Sequence, residues 1–78
     1  MDIEIYTTKT CAYCVRAKSL LKNIGLEFME TDISTDADKA IEIAKRSGQR
    51  TVPQIFIDGR SIGGFTELAE LSGAGELI

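Results

Sequence analysis

Cys11-Ala12-Tyr13-Cys14 holds both cysteines of the chain, and the residues on either side place it where a strand gives way to a helix. Upstream, Asp2-Ile3-Glu4-Ile5-Tyr6 alternates polar with apolar side chains, which predicts a strand with Ile3 and Ile5 on one face. The polar run Thr7-Thr8-Lys9-Thr10 leads into the pair. Downstream, Ala17, Leu20, Leu21 and Ile24 recur at helical spacing ahead of Gly25, a C-cap residue, so a helix is expected over residues 12–24.

Two thiols three positions apart at a helix start lie within disulfide reach and can cycle between dithiol and disulfide. A disulfide closing so short a loop constrains the unfolded chain by only about 2 kcal/mol, so as a structural staple it is nearly idle. Structural zinc takes four Cys or His ligands; the chain has two Cys and no His, so a zinc site would need a second chain and no metal ligand is assigned. Two inert, buried cysteines are a third reading, which the spacing, the polar lead-in and the helical pattern disfavour. At the helix N-terminus Cys11 meets unpaired backbone N–H groups and the positive end of the dipole, with Lys9 and Arg16 nearby, an environment that favours a thiolate. Cys11 is therefore the expected nucleophile. Cys14, nearly one turn further in, is expected to be more buried and less ionised, suited to attack a mixed disulfide formed on Cys11.

Leu26-Glu27-Phe28-Met29-Glu30 alternates again and predicts a second strand, joined to the first by a right-handed crossover and parallel to it. Thr35-Asp36-Ala37-Asp38 has capping-box spacing, Ala37, Ile41 and Ala44 form an apolar stripe, and Lys45, Arg46 and Gly48 mark an end, so a second helix follows. Arg46 and Arg50 are candidates for holding an anion. Thr51-Val52-Pro53 contains the sole proline and opens the β-rich run Gln54-Ile55-Phe56-Ile57. Taken generically that proline is trans, since only about 5% of X-Pro bonds in folded proteins are cis. Asp58-Gly59 is a hairpin signal that returns Arg60-Ser61-Ile62 as a partner strand. Gly63-Gly64 allows either a close ligand approach or a plain tight turn. Thr66 is placed as the cap of a last helix through Leu71, with Leu68 and Leu71 inward and Gly73 ending it, and its free N–H groups offer an anion site. The order predicts a four-stranded mixed sheet flanked by helices.

Composition narrows the function classes. At 78 residues the chain is read as one domain, 1–78, a size that buries roughly 60% of the surface its unfolded form exposes. The 44% hydrophobic and 27% charged fractions are those of an ordinary globular protein. No apolar run approaches the roughly 20 residues that span a bilayer, so no membrane association is expected. A net charge of −3 without a basic tract argues against nucleic acid as a partner. Met1-Asp2-Ile3-Glu4 is acidic where a secretory leader would be basic and then apolar, and a lone Cys-x-x-Cys suits a reducing compartment, so the cytoplasm is the expected location.

Three patterns together, Cys11-Ala12-Tyr13-Cys14, Thr51-Val52-Pro53 and Gly63-Gly64-Phe65-Thr66, stand in an order and spacing that resembles the glutaredoxins, over essentially the whole chain. The resemblance implies an α/β, thioredoxin-like fold with a four-stranded mixed sheet flanked by three helices. It gives Cys11 the role of nucleophile and Cys14 that of resolving cysteine. It further implies a cis Pro53, overturning the generic expectation, with the Val52 backbone pairing with the peptide part of glutathione. Gly64, Phe65 and Thr66 would present N–H groups to the γ-glutamyl carboxylate, and Tyr13 and Thr51 would line the same groove. Two departures stand out. Ala12 replaces the proline of the family's commonest dithiol motif, restoring a backbone N–H and loosening φ. The lysine that many members carry three residues before the first cysteine is here Thr8, with Lys9 one step closer as the expected contact for the glycyl carboxylate and Arg50 as its substitute.

The implied activity is that of a glutathione-dependent thiol-disulfide oxidoreductase, expected as a monomer, acting on disulfide-containing and glutathionylated proteins. Two alternatives accompany it: a dimer carrying an iron–sulfur cluster through Cys11 of each chain and two glutathiones, which Ala12 keeps open, and an electron donor reduced by thioredoxin reductase.

Overall fold

The computed structural model describes residues 1–77; Ile78, the last residue of the expected domain, lies outside them. Along the chain run β1 (Ile3–Thr7), α1 (Ala12–Asn23), β2 (Met29–Asp32), α2 (Ala37–Ser47), β3 (Gln54–Ile57), β4 (Arg60–Gly63) and α3 (Phe65–Gly73). The strands form one sheet in the order β2-β1-β3-β4, with β1 parallel to β2 and antiparallel to β3, and β3 antiparallel to β4. This is the mixed four-stranded sheet with three helices that the resemblance implied.

Alternation along the two central strands divides the core in two. Side chains two apart on a strand share a face, so Ile3 and Ile5 of β1 and Ile55 of β3 point together, where they meet Ala17 and Leu21 of α1, Leu68 of α3 and Leu77. Tyr6 and Phe56 point the other way and pack on Ile43 of α2. Their rings meet edge to face, with centroids 5.7 Å apart, the arrangement that aromatic quadrupoles favour. Arg46 covers this second layer. Its guanidinium lies 4.3 Å from the Phe56 ring centroid and 3.8 Å from Glu4, so it serves the fold rather than the anion site considered for it.

The second strand begins later than its alternation predicts. Gly25 takes a left-handed φ of 78°, its N–H reaches Lys22 O, and the Leu26 N–H turns back to Leu21 O at 3.0 Å. That hydrogen-bonded helix end keeps residues 26–28 out of the ladder. Leu26 and Phe28 instead pack against the first core layer, and pairing starts where Met29 meets Glu4.

In α2 the inward stripe is also displaced. Ile43 is fully buried, whereas Ile41, placed on the core side by the sequence pattern, is 54% exposed. Packing on Tyr6 and Phe56 sets the buried face; the helix itself is capped by Asp36 rather than Thr35, the Asp36 carboxylate accepting the Lys39 N–H at 3.0 Å. At α3 the cap is likewise Gly64 rather than Thr66, and the helix continues past Leu71 to Gly73. The hairpin forms as predicted, with Asp58 and Gly59 at φ 51° and 82°, the two positive values that a tight two-residue turn requires. Replacing Ile43 by Ala should cost about 2–5 kcal/mol in urea unfolding, while Ile41→Ala should cost less than about 1 kcal/mol; equal costs would contradict the assigned face.

Candidate functional site

Cys11 is the N-cap of α1. Its backbone is extended, at φ −98° and ψ 110°, and its sulfur accepts the Cys14 backbone N–H at 3.1 Å. A side-chain acceptor at this place satisfies a donor that the helix itself leaves unpaired. The helix start thus holds the Cys11 sulfur with a directed hydrogen bond at the positive end of the helix dipole. Across the groove the same sulfur lies 3.6 Å from Val52 O. Both cysteines are free thiols, Cys11 partly exposed and Cys14 buried.

The two sulfurs differ in burial. Cys14 is 1% exposed. Burial, and then its hydrogen bond with the Cys11 sulfur, push the Cys14 thiol up to about 12, with the Thr8 backbone N–H and the Lys18 ammonium opposing the rise. At neutral pH Cys14 is a thiol and Cys11 is the sulfur that an outside molecule can reach.

The Val52-Pro53 peptide bond is cis, as the resemblance implied. It turns the chain beneath Cys11 just before β3 and borders a groove of about 220 Å³. Tyr13 of α1, Thr51, Val52 and Pro53, and Gly64, Phe65 and Thr66 at the start of α3 all line that groove. All seven were singled out from sequence, from three separate stretches. Tyr13 leans on Phe65 with ring centroids 6.0 Å apart, and the Arg16 guanidinium sits 5.2 Å from the Tyr13 ring. A Cβ on Gly64 would stand 3.2 Å from Pro53 O, a tight contact that the glycine avoids. Gly63, at φ 108°, takes a conformation that side chains rarely adopt.

Lys9 falls outside the groove lining. It is exposed on the turn before α1, and its charge acts on Asp32 at the end of β2. Arg50 also lies elsewhere, in a separate concavity against α2 with Ala40, Ala44 and Lys45. Sequence reasoning missed two lining residues, Gln49 and Glu67. The Glu67 carboxylate accepts the Gly64 N–H at 2.6 Å; an acid three positions into a helix is a capping signal, legible once Gly64 rather than Thr66 is taken as the cap. Chemically, a partly exposed sulfur, 3.6 Å from Val52 O, stands beside a groove lined by the turn at Val52-Pro53 and the start of α3.

In the native protein a haloacetamide near neutral pH should label Cys11 alone, with Cys14 reacting only after denaturation; comparable labelling of both would refute the burial. A thiol raised by folding adds stability that is fully present below the ordinary thiol range and lost as pH rises through the folded value. Unfolding free energy should therefore fall from about pH 9 toward about 12, less steeply in Cys14→Ser.

The sequence model of the family described as Glutaredoxin matches residues 3–62. Glutaredoxin 3 of Escherichia coli strain K12 is 51% identical over 76 residues, covering 97% of this chain and 92% of that protein. A probable glutaredoxin of Synechocystis is 49% identical over 76 residues, covering 96% and 86%. Among solved structures, the glutaredoxin of Brucella melitensis superposes with a TM-score of 0.86 at 44% identity, covering 99% of this chain and 84% of that one. The buckwheat glutaredoxin–glutathione complex superposes with a TM-score of 0.87 at 29% identity, covering 96% and 71%. With the cysteine pair at the helix start beside a groove that the cis proline and the glycine turn line, the chain belongs to the glutaredoxin family, as a dithiol thiol-disulfide oxidoreductase.

Proposed function

We propose that this glutaredoxin draws its electrons from glutathione and works by two routes that share Cys11 and differ in their use of Cys14. The observation that carries this reading is the asymmetry of the pair: one sulfur accessible and capping a helix, the other 1% exposed and held as a thiol. On a glutathionylated protein, the Cys11 thiolate attacks the glutathione sulfur and releases the protein thiol. A second glutathione then regenerates Cys11, and Cys14 takes no part. On a protein disulfide, Cys11 forms the mixed disulfide, Cys14 displaces the substrate, and glutathione reduces the resulting pair.

The groove supports glutathione as the reductant. Its backbone turn at Val52 suits an extended peptide, and the N–H groups of Phe65 and Thr66 at the start of α3 suit a carboxylate at its end, the Gly64 N–H being taken by Glu67, with Tyr13, Thr51 and Pro53 as walls. The buckwheat relative was solved with glutathione bound. Lys9, outside the lining, is the weakest of the sequence-based contacts, and Gln49 is better placed. The unit proposed to carry this activity is a monomeric domain, 1–78, acting in the cytoplasm on disulfide-containing and glutathionylated proteins. No described helix is long and apolar enough to cross a membrane. The cluster-carrying reading would use one sulfur per chain, since Cys14 is buried, and take its remaining ligands from outside the chain; no contact in the structure favours it.

The test is NADPH consumption in a coupled assay with glutathione, glutathione reductase and a glutathione mixed disulfide. Rapid turnover is expected. Cys11→Ser should fall to background on mixed disulfides and on protein disulfides, whereas Cys14→Ser should keep most of its mixed-disulfide turnover and lose protein-disulfide reduction. Equal losses in the two variants would overturn the division of labour, and turnover with thioredoxin reductase but not glutathione would overturn the choice of reductant.

A further inference from the structure

Reduction of a protein disulfide gives Cys14 a task that its surroundings oppose. Its thiol is pushed up to about 12, yet a thiol must shed its proton before it attacks a disulfide. The causes of that rise are burial, the hydrogen bond with Cys11 and the charge of Cys11. Once Cys11 is tied up in a mixed disulfide it no longer carries a charge or a proton, and burial is left as the main opposition. Two groups act the other way: the Thr8 backbone N–H and the Lys18 ammonium.

Lys18 follows Cys14 by four residues in α1, one turn on along the same face. Its side chain is 28% exposed, and its Nζ lies 2.9 Å from Glu30 Oε2 of β2. The same carboxylate oxygen accepts the Thr7 hydroxyl at 2.8 Å. Thr7 is itself buried, at the end of β1, and directly precedes the Thr8 whose N–H faces Cys14. A chain of contacts thus runs from β1 through Glu30 to Lys18 and anchors the ammonium against β2, one turn along α1 from Cys14. The charged and titratable groups bearing on Cys14 are Cys11 and Lys18; Glu30 acts through Lys18, with Asp32 beyond it.

We infer that Lys18 is a positioning residue for the resolving step: its ammonium, held by Glu30 and Thr7, stabilises the Cys14 sulfur as an anion while that sulfur attacks the mixed disulfide. The inference rests on the two-route reading above. In this step Cys14 gives its proton to solvent and its sulfur bonds to the Cys11 sulfur. The bond between Cys11 and the substrate sulfur breaks, and that sulfur leaves as a thiolate and takes a proton from solvent. The two electrons come from the dithiol, so no further reductant enters.

The test compares Lys18→Gln and Lys18→Arg, each in the native and the Cys14→Ser backgrounds. A partly exposed ion pair adds little to stability, so both variants should fold. Stopped-flow measurement of the second phase of protein-disulfide reduction, followed against pH, isolates resolution. Lys18→Gln should move its midpoint to higher pH and slow it about three- to ten-fold at neutral pH, and Lys18→Arg should restore most of the rate. In the Cys14→Ser background, Lys18→Gln should leave mixed-disulfide turnover where Cys14→Ser alone sets it. An unshifted profile at the native rate in Lys18→Gln overturns the inference, as does equal slowing in both backgrounds, which would mark a purely structural role. If Cys14→Ser alone reduces protein disulfides at the native rate, the two-route reading fails first and the role of Lys18 with it.

Discussion

The hydrogen bond from the Cys14 backbone N–H to the Cys11 sulfur, 3.1 Å long, is the contact on which the site depends. It makes one atom both the cap of a helix and the reactive centre of the molecule. A cap has to lie at the first turn with an extended backbone, and that requirement sets Cys11 at the groove edge while the helical path carries Cys14 inward. The difference between the two sulfurs follows from position along one helix. No separate device is needed to protect the second thiol, because α1 packs it against the core while leaving the first at the surface.

The remaining fold supplies the opposite wall. With β1 and β3 adjacent in the sheet, the loop before β3 arrives beside the end of β1, where α1 begins. The cis bond at Pro53 turns Val52 toward Cys11, and the hairpin from β3 to β4 delivers Gly63 and Gly64 to the same end. Ile55 and Gly63 pair across a register slip in that hairpin, so an extra residue of β4 is absorbed just before the glycine turn, a bulge that re-aims the chain into α3. Three stretches distant in sequence therefore meet because of strand order rather than local preference.

What could be read from the residues alone follows the same division. β1, α1 and the Asp58-Gly59 turn were legible because alternation, helical spacing and turn chemistry are local. The late start of β2 was not, since Leu26 and Phe28 are as apolar as strand residues and only the helix end at Gly25 withholds them from the ladder. Ile41 and Ile43 offer two readings of one amphipathic helix, and the choice between them depends on Tyr6 and Phe56. Seven groove residues were found because motifs carry them, whereas Glu67 became visible only with the cap at Gly64. Lys9, exposed on the turn before α1, does not line the groove.

The two-layer core has an engineering consequence. None of Tyr6, Ile33, Ile43 and Phe56, the apolar side chains of the α2 layer, touches the groove. Thermal endurance can accordingly be adjusted on that side of the sheet, by filling or thinning its packing, while the layer that supports the cysteines keeps its shape. Lifetime and chemistry are placed on opposite faces of the same four strands.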